Sequence, residues 1–132
     1  MSHIDICEGV KTLLTAEGYT SIKLAREYEP TEGITVRHVP SAITQRYYDE
    51  GKTISYIYQV IVTRRSEEDA MDDAADIAAL LDGATIDSTN GSYGFTGQEL
   101  YTPPQELALT VGGLYEYELR ISALLEIGGV ES

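Results

Sequence analysis

Residues 46–83 read RYYDEGKTISYIYQVIVTRRSEEDAMDDAADIAALLDG, and the hydrophobic period changes inside them. Ile54, Tyr56, Tyr58, Val60 and Val62 fall on one side of an alternating run, with Ser55, Ile57, Gln59, Ile61 and Thr63 on the other. Period two is the signature of a strand, because successive side chains leave opposite faces of the pleat. The first face is wholly apolar or aromatic and is expected to meet helices. The second mixes isoleucine with hydroxyls and an amide, which makes it either partly solvated or a contact surface. After Arg64-Arg65, Ser66 stands three residues before Asp69 as a helix cap, and Ala70, Ala74, Ile77, Ala78 and Leu81 follow at helical spacing. Small alanines let this helix approach its neighbours closely, and Gly83 supplies a left-handed residue to end it. Upstream, Asp49-Glu50-Gly51-Lys52 reads as a hairpin turn leading from another strand around 43–48.

Working outward, Ser2 with Asp5 makes a second helix cap, and Ile6, Cys7, Val10, Leu13 and Leu14 recur at helical spacing until Gly18. Gly9 inside that helix costs about 1 kcal/mol relative to Ala, so the helix depends on packing. Ile22, Leu24 and Tyr28 predict a short strand, Pro30 and Gly33 break it, and Ile34–Val39 is extended again before Pro40. Beyond Gly83, the pieces Tyr93–Phe95 and Glu99–Tyr101, ended by Pro103-Pro104, are read as a projecting hairpin or long loop. Leu107, Leu109 and Val111 mark a further strand, Gly112-Gly113 a turn, and Leu114–Glu126 alternates with Tyr115, Tyr117, Leu119, Ile121 and Ala123 on one face. Two helices among runs of strands, with connections too short for repeated parallel crossovers, define an α+β fold: a mainly antiparallel sheet with both helices on one face. The 132 residues are expected to form one domain.

The formal net charge of −13 is unevenly placed: residues 1–65 hold eight Lys and Arg against eight Asp and Glu, whereas residues 66–132 hold Arg120 alone against fourteen acids. Gripping nucleic-acid phosphates needs a basic footprint, so that class of function is disfavoured. The acidic half suits a surface that DNA passes without sticking, or one that simply keeps the domain soluble. No apolar run has the roughly 20 residues of a membrane-spanning helix, and no signal peptide is apparent, so a cytoplasmic protein is expected. The lone Cys7 falls on the apolar stripe of the first helix as an inert thiol. His3 and His38 have no nucleophile signature beside them and read as chance surface histidines. Asp69, Asp72, Asp73 and Asp76 share a helix face, which alone cannot supply the six to eight converging oxygens that calcium prefers. Counting Asp87–Gly91 as a calcium loop puts Ile86 where its first carboxylate belongs. No catalytic set, cofactor site or metal site is expected. Ten tyrosines against one Phe and no Trp supply rings with polar tips, suited to interfaces or to the edge of a core.

Gly33-Ile-Thr-Val-Arg-His-Val-Pro-Ser41, Arg46-Tyr-Tyr-Asp-Glu-Gly-Lys52, Tyr56-Ile-Tyr-Gln-Val-Ile-Val62, the acidic helix, Tyr101-Thr-Pro-Pro104 and Gly113-Leu-Tyr-Glu-Tyr117 together resemble the minor capsid or tail terminator proteins of long-tailed bacteriophages and prophages. The resemblance runs from about Gly33 to Glu126 and includes the order of elements. It implies a virion protein, assembled in the host bacterial cytoplasm, that forms a ring of identical subunits, expected to be a hexamer, on the head-proximal end of the tail tube. Such a ring stops tube polymerisation and offers the head a surface for attachment. Its partners would be further copies of itself, the tail tube protein and a head-completion or neck protein, with DNA passing through and no membrane involved. A neck or head-completion adaptor, or a small-ligand or regulatory binding domain, are the alternatives. The expected subunit contacts are Arg46, Tyr47, Tyr48, Arg64 and Arg65 on one side and Tyr93, Phe95 and Tyr101 in the projecting loop on the other. On this reading, replacing Arg64 and Arg65 together by Glu abolishes ring formation without unfolding the domain, as native mass spectrometry would record.

Overall fold

The structure, a computed structural model, describes residues 4–25, 31–39, 53–110 and 112–126. In chain order its elements are α1 (Ile6–Ala16), β1 (Ile22–Lys23), β2 (Gly33–His38), β3 (Thr53–Arg64), α2 (Glu67–Leu81), β4 (Gly94–Leu109) and β5 (Tyr115–Glu126). The strands form one five-stranded sheet in the order β1-β2-β3-β5-β4. Every pairing is antiparallel except β1 with β2, which run parallel. The expected strand around 43–48, the turn at 49–52, Tyr28 and Val111 lie outside the described residues.

The two central strands pair without a slip from Thr53↔Glu126 to Arg64↔Tyr115. On one face Ile54, Tyr56, Tyr58, Val60 and Val62 therefore stand opposite Leu125, Ala123, Ile121, Leu119 and Tyr117. Ile6, Val10 and Leu14 of α1 and Ala74, Ile77, Ala78 and Leu81 of α2 join these residues in one apolar cluster. Both helices thus lie on that face, α1 over β1 and β2, α2 over β3, β5 and β4. Each fully buried aliphatic side chain contributes about 1.5–3 kcal/mol relative to exposure. The Ser66 hydroxyl accepts the Asp69 amide at 3.3 Å, as a cap should, and Gly83 takes φ 83° just beyond α2.

Packing accounts for Gly9: a Cβ there would lie 2.6 Å from Cγ2 of Ile86, so the helix gives up intrinsic propensity to let residue 86 close on it. The N-terminal cap differs from expectation. α1 starts at Ile6 with Asp5 in the N-cap position, yet the Asp5 side chain makes no cap bond. Its carboxylate instead accepts the Ser88 hydroxyl at 2.8 Å, the Thr89 hydroxyl at 2.7 Å and the amides of Thr89 and Asn90 at 3.0 and 3.2 Å. Burial pushes this carboxyl up, but the bonds from Thr89, Ser88 and Asn90 outweigh it and hold the pKa at about 2.

The larger correction concerns residues 84–104, expected to project as a hairpin or loop. Gly94–Leu109 is instead a single 16-residue strand that runs through Pro103-Pro104. It lies at the sheet edge, where a residue without an N–H leaves no ladder bond unmade on its outer side. The register shifts between Thr102 and Gln105, where the two prolines fall. Strand and helix are tied by a buried relay: the Tyr58 hydroxyl donates to Gln98 Oε1 at 3.1 Å, and Gln98 Nε2 donates to the Leu81 carbonyl at 2.7 Å.

Replacing Gln98 by Leu strands the Tyr58 hydroxyl and the Leu81 carbonyl in the core. The expected loss is about 2–3 kcal/mol of unfolding free energy in a denaturant titration, part of it recovered by adding Tyr58→Phe. The depressed Asp5 pKa stabilises the fold fully above the unfolded value of 3.8, and that contribution is lost as pH falls from there through about 2. Asp5→Asn should cost about 1–2 kcal/mol at pH 7, allowing for solvent screening, and should flatten the fall in melting temperature between pH 4 and 2.

Candidate assembly surface

The alternation that sends apolar residues to the helices sends a different set to the opposite face, and the register arranges them in transverse rows. Thr35, Ile61, Glu118 and Gln105 form one row, and Arg37, Gln59, Arg120 and Thr102 the next. Neither α1 nor α2 packs on this face among the described residues, yet Gln59, Ile61, Thr63, Glu116 and Glu118 are all buried. Polar groups removed from water must be paired. Arg37 Nε donates to Gln59 Oε1 at 2.8 Å, and Gln59 Nε2 donates to Glu118 Oε1 at 2.5 Å. Gln105 Nε2 and Arg120 Nε also donate to Glu118, at 2.7 and 3.2 Å. The chain of bonds crosses four strands, β2 to β4. Burial pushes the Glu118 carboxyl up, but Gln105, Gln59 and Arg120 more than compensate and hold it below the usual carboxylate range. Sequence reading identified the mixed character of the β3 face but not this network. The available signal was that Glu116 and Glu118 sit on the polar side of the β5 alternation, as Gln59 does in β3.

The arginine pair divides. Arg64 Nε meets Asp73 Oδ2 at 2.9 Å across the boundary between β3 and α2, and a terminal nitrogen of Arg64 donates to the Thr63 carbonyl at 3.2 Å. Its charge is therefore used inside the chain. Arg65 is exposed, with its amide donating to Glu32 Oε2 at 2.8 Å. It borders a cavity of about 450 Å³ with Thr31, Glu32, Gly112 and Leu114. On the acidic helix Asp69, Asp72 and Asp76 are exposed. The Glu67 carboxylate accepts the Tyr117 hydroxyl at 2.8 Å, and that bond pushes the phenol up to about 12.

The aromatic residues expected in a projecting loop are not together at the surface. Tyr93 is buried in the core, its hydroxyl donating to the Ile86 carbonyl at 2.6 Å, and Phe95 packs partly buried against the same cluster. Tyr101 remains a surface residue, 59% exposed on the edge strand beside a register shift. Arg46, Tyr47 and Tyr48 lie outside the described residues.

Groups with intrinsic reactivity serve packing. Burial, with Glu8 nearby, pushes the Cys7 thiol up to about 12, far from a reactive thiolate. His38 is not a chance surface histidine: it is half-buried, stacked on Tyr56 with centroids 4.1 Å apart, and desolvation lowers its pKa. Among the described residues no group of three or more His, Cys, Asp or Glu is placed to hold a metal ion, and no helix is long and apolar enough to cross a membrane.

Comparison with known proteins agrees with this arrangement of elements. A chain of a solved structure titled "Virion of native gene transfer agent (GTA) particle" superposes with a TM-score of 0.59 at 18% identity, covering 89% of this chain and 91% of that one. At that identity the likeness speaks to the fold. No curated protein matches the sequence. The sequence profile of a family described as "Bacteriophage tail terminator protein" matches residues 18–127, from just after α1 through β5. The chain belongs to the bacteriophage tail terminator protein family.

Proposed function

We propose that the protein closes a ring, a hexamer, on the head-proximal end of a phage or prophage tail tube. There it stops tube polymerisation and gives the head, through its completion or neck protein, a surface to join. Family membership supports the virion role. The physical observation that carries the reading is how charge is used. Arg120, the one cation of residues 66–132, is held by Glu118 at 3.2 Å, and Arg64 is held by Asp73 at 2.9 Å. Exposed Asp69, Asp72, Asp76, Glu106 and Glu126 are left on that half of the fold. A lumen lined by such a surface repels phosphates and lets DNA slide, since binding would need cations to displace the counterions of DNA. Association through two different patches of one subunit closes into a ring when the rotation between copies closes. This reading needs no catalytic step.

Adding the protein to polymerising tail tube protein should hold tube lengths fixed, with a ring at one end of each tube under negative stain and a hexamer in native mass spectrometry. Tubes that elongate unchanged beside a persistent monomer would count against the role. Because Arg64 neutralises Asp73, reversing both arginines strikes the fold as well as any contact. Arg65→Glu alone should leave the melting temperature within about 2 °C, as an exposed substitution does, while weakening ring formation.

A further inference from the structure

The strand order turns an asymmetry of sequence into one of space. β1 and β2, from the balanced half of the chain, form one side of the sheet, and β4, from the acidic half, forms the opposite edge. On the face opposite α1 and α2, Arg37 of β2 stands in the row of Gln59 and Arg120, and Glu99 of β4 stands beside Ser122, one same-face step along β5. Arg37 and Glu99 therefore lie on the same face, at opposite ends of nearly the same row. Arg37 is exposed and uses its Nε–H on Gln59, which leaves its terminal amino groups without a partner among the described residues. Glu99 is exposed and likewise without one. Large exposed apolar side chains occur on the same two sides, Leu24 just after β1 and Tyr101, Leu109 and Leu124 on β4 and β5, with Met71 apart from them on α2.

We propose that successive copies of the chain meet side to side, with Arg37 and Leu24 of one copy against Glu99 and Tyr101 of the next. This rests on the ring reading and names the surfaces that build the ring. The occupant is a second copy because a single subunit carries both halves of the match, a cation with an aliphatic neighbour at one side and a carboxylate with an aromatic ring at the other. An Arg guanidinium pairs with a carboxylate and also stacks on a Tyr face. For a chain of net charge −13, contact elsewhere on the acidic half would set like charges against each other. The contact is made by side chains rather than by strand addition, because the β4 edge is guarded. Asp82 Oδ1 accepts the Leu100 amide at 3.1 Å, the Gly83 amide donates to the Gln98 carbonyl at 3.2 Å, and Pro103-Pro104 follow. The two patches differ, so the contact is head-to-tail and propagates around a closed ring.

A charge exchange tests the contact. Arg37→Glu and Glu99→Arg should each raise the concentration for half-assembly at least about tenfold, and the combined variant should return to within about threefold of wild type; Glu99→Arg should leave the melting temperature unchanged, whereas Arg37→Glu also gives up the bond to Gln59 and should lower it. Tyr101→Ala, at an exposed position outside the core, should weaken assembly without touching the Arg37–Gln59 bond. Single reversals and Tyr101→Ala that assemble like wild type, or a combined variant that stays monomeric, would overturn this contact and leave the ring itself standing. A wild-type chain that remains monomeric with tail tubes present would remove the ring and this contact with it.

Discussion

The fold depends on the unbroken antiparallel pairing of β3 with β5. Twelve residues of each strand face one another without a bulge, so one alternation in each strand decides at once what is core and what is surface. A slip of one residue in either strand would turn that strand over, carrying Tyr58 out of the core and Gln59 in, or Ile121 out and Glu118 in. The register is held from both sides. On the helix face, fully buried side chains pack under α1 and α2. On the other, the Gln59 to Glu118 bond joins adjacent rows, and Arg37, Gln105 and Arg120 brace it.

That second face distinguishes this sheet from a simple layer of helices on strands. A carboxylate as buried as Glu118 is tolerated because three side chains donate to it. Removing one donor would leave an undercompensated charge, whereas the complete set orders four strands laterally. The network also consumes the single cation of the acidic half. The price of that internal order is an outer surface whose sign is set by aspartates and glutamates, a surface without the basic footprint that binding to DNA needs.

Much of the fold was legible because it is written locally. The Ser66 cap, the alanine-rich stripe of α2 and the alternation of β3 and β5 each lie within a window of about fifteen residues, where period alone decides. What escaped was set by distant partners. Asp5 looks like part of a cap at α1, but its hydrogen-bond partners are about 85 residues on. Pro103-Pro104 reads as a stop until β4 is placed at the edge of the sheet, where prolines are tolerated. Tyr93, amid Asn, Gly and Ser, reads as surface, yet the Ile86 carbonyl gives its hydroxyl a buried partner. Of the expected contact residues, Arg65 and Tyr101 are exposed and available. Arg64 is engaged by Asp73, and the conspicuous charge change at Ser66 proves to be an internal seam as well as a surface boundary.

In the proposed ring, sheets of neighbouring subunits lie side to side, with the faces opposite α1 and α2 continuous around it. Single-particle reconstruction of the protein bound to tail tubes measures this directly. The predicted result is a closed ring in which the β4 edge of each subunit abuts the β1–β2 side of the next, with Arg37 within reach of Glu99 of its neighbour. A ring joined through the exposed face of α2, or through like edges related by twofold axes, would contradict it.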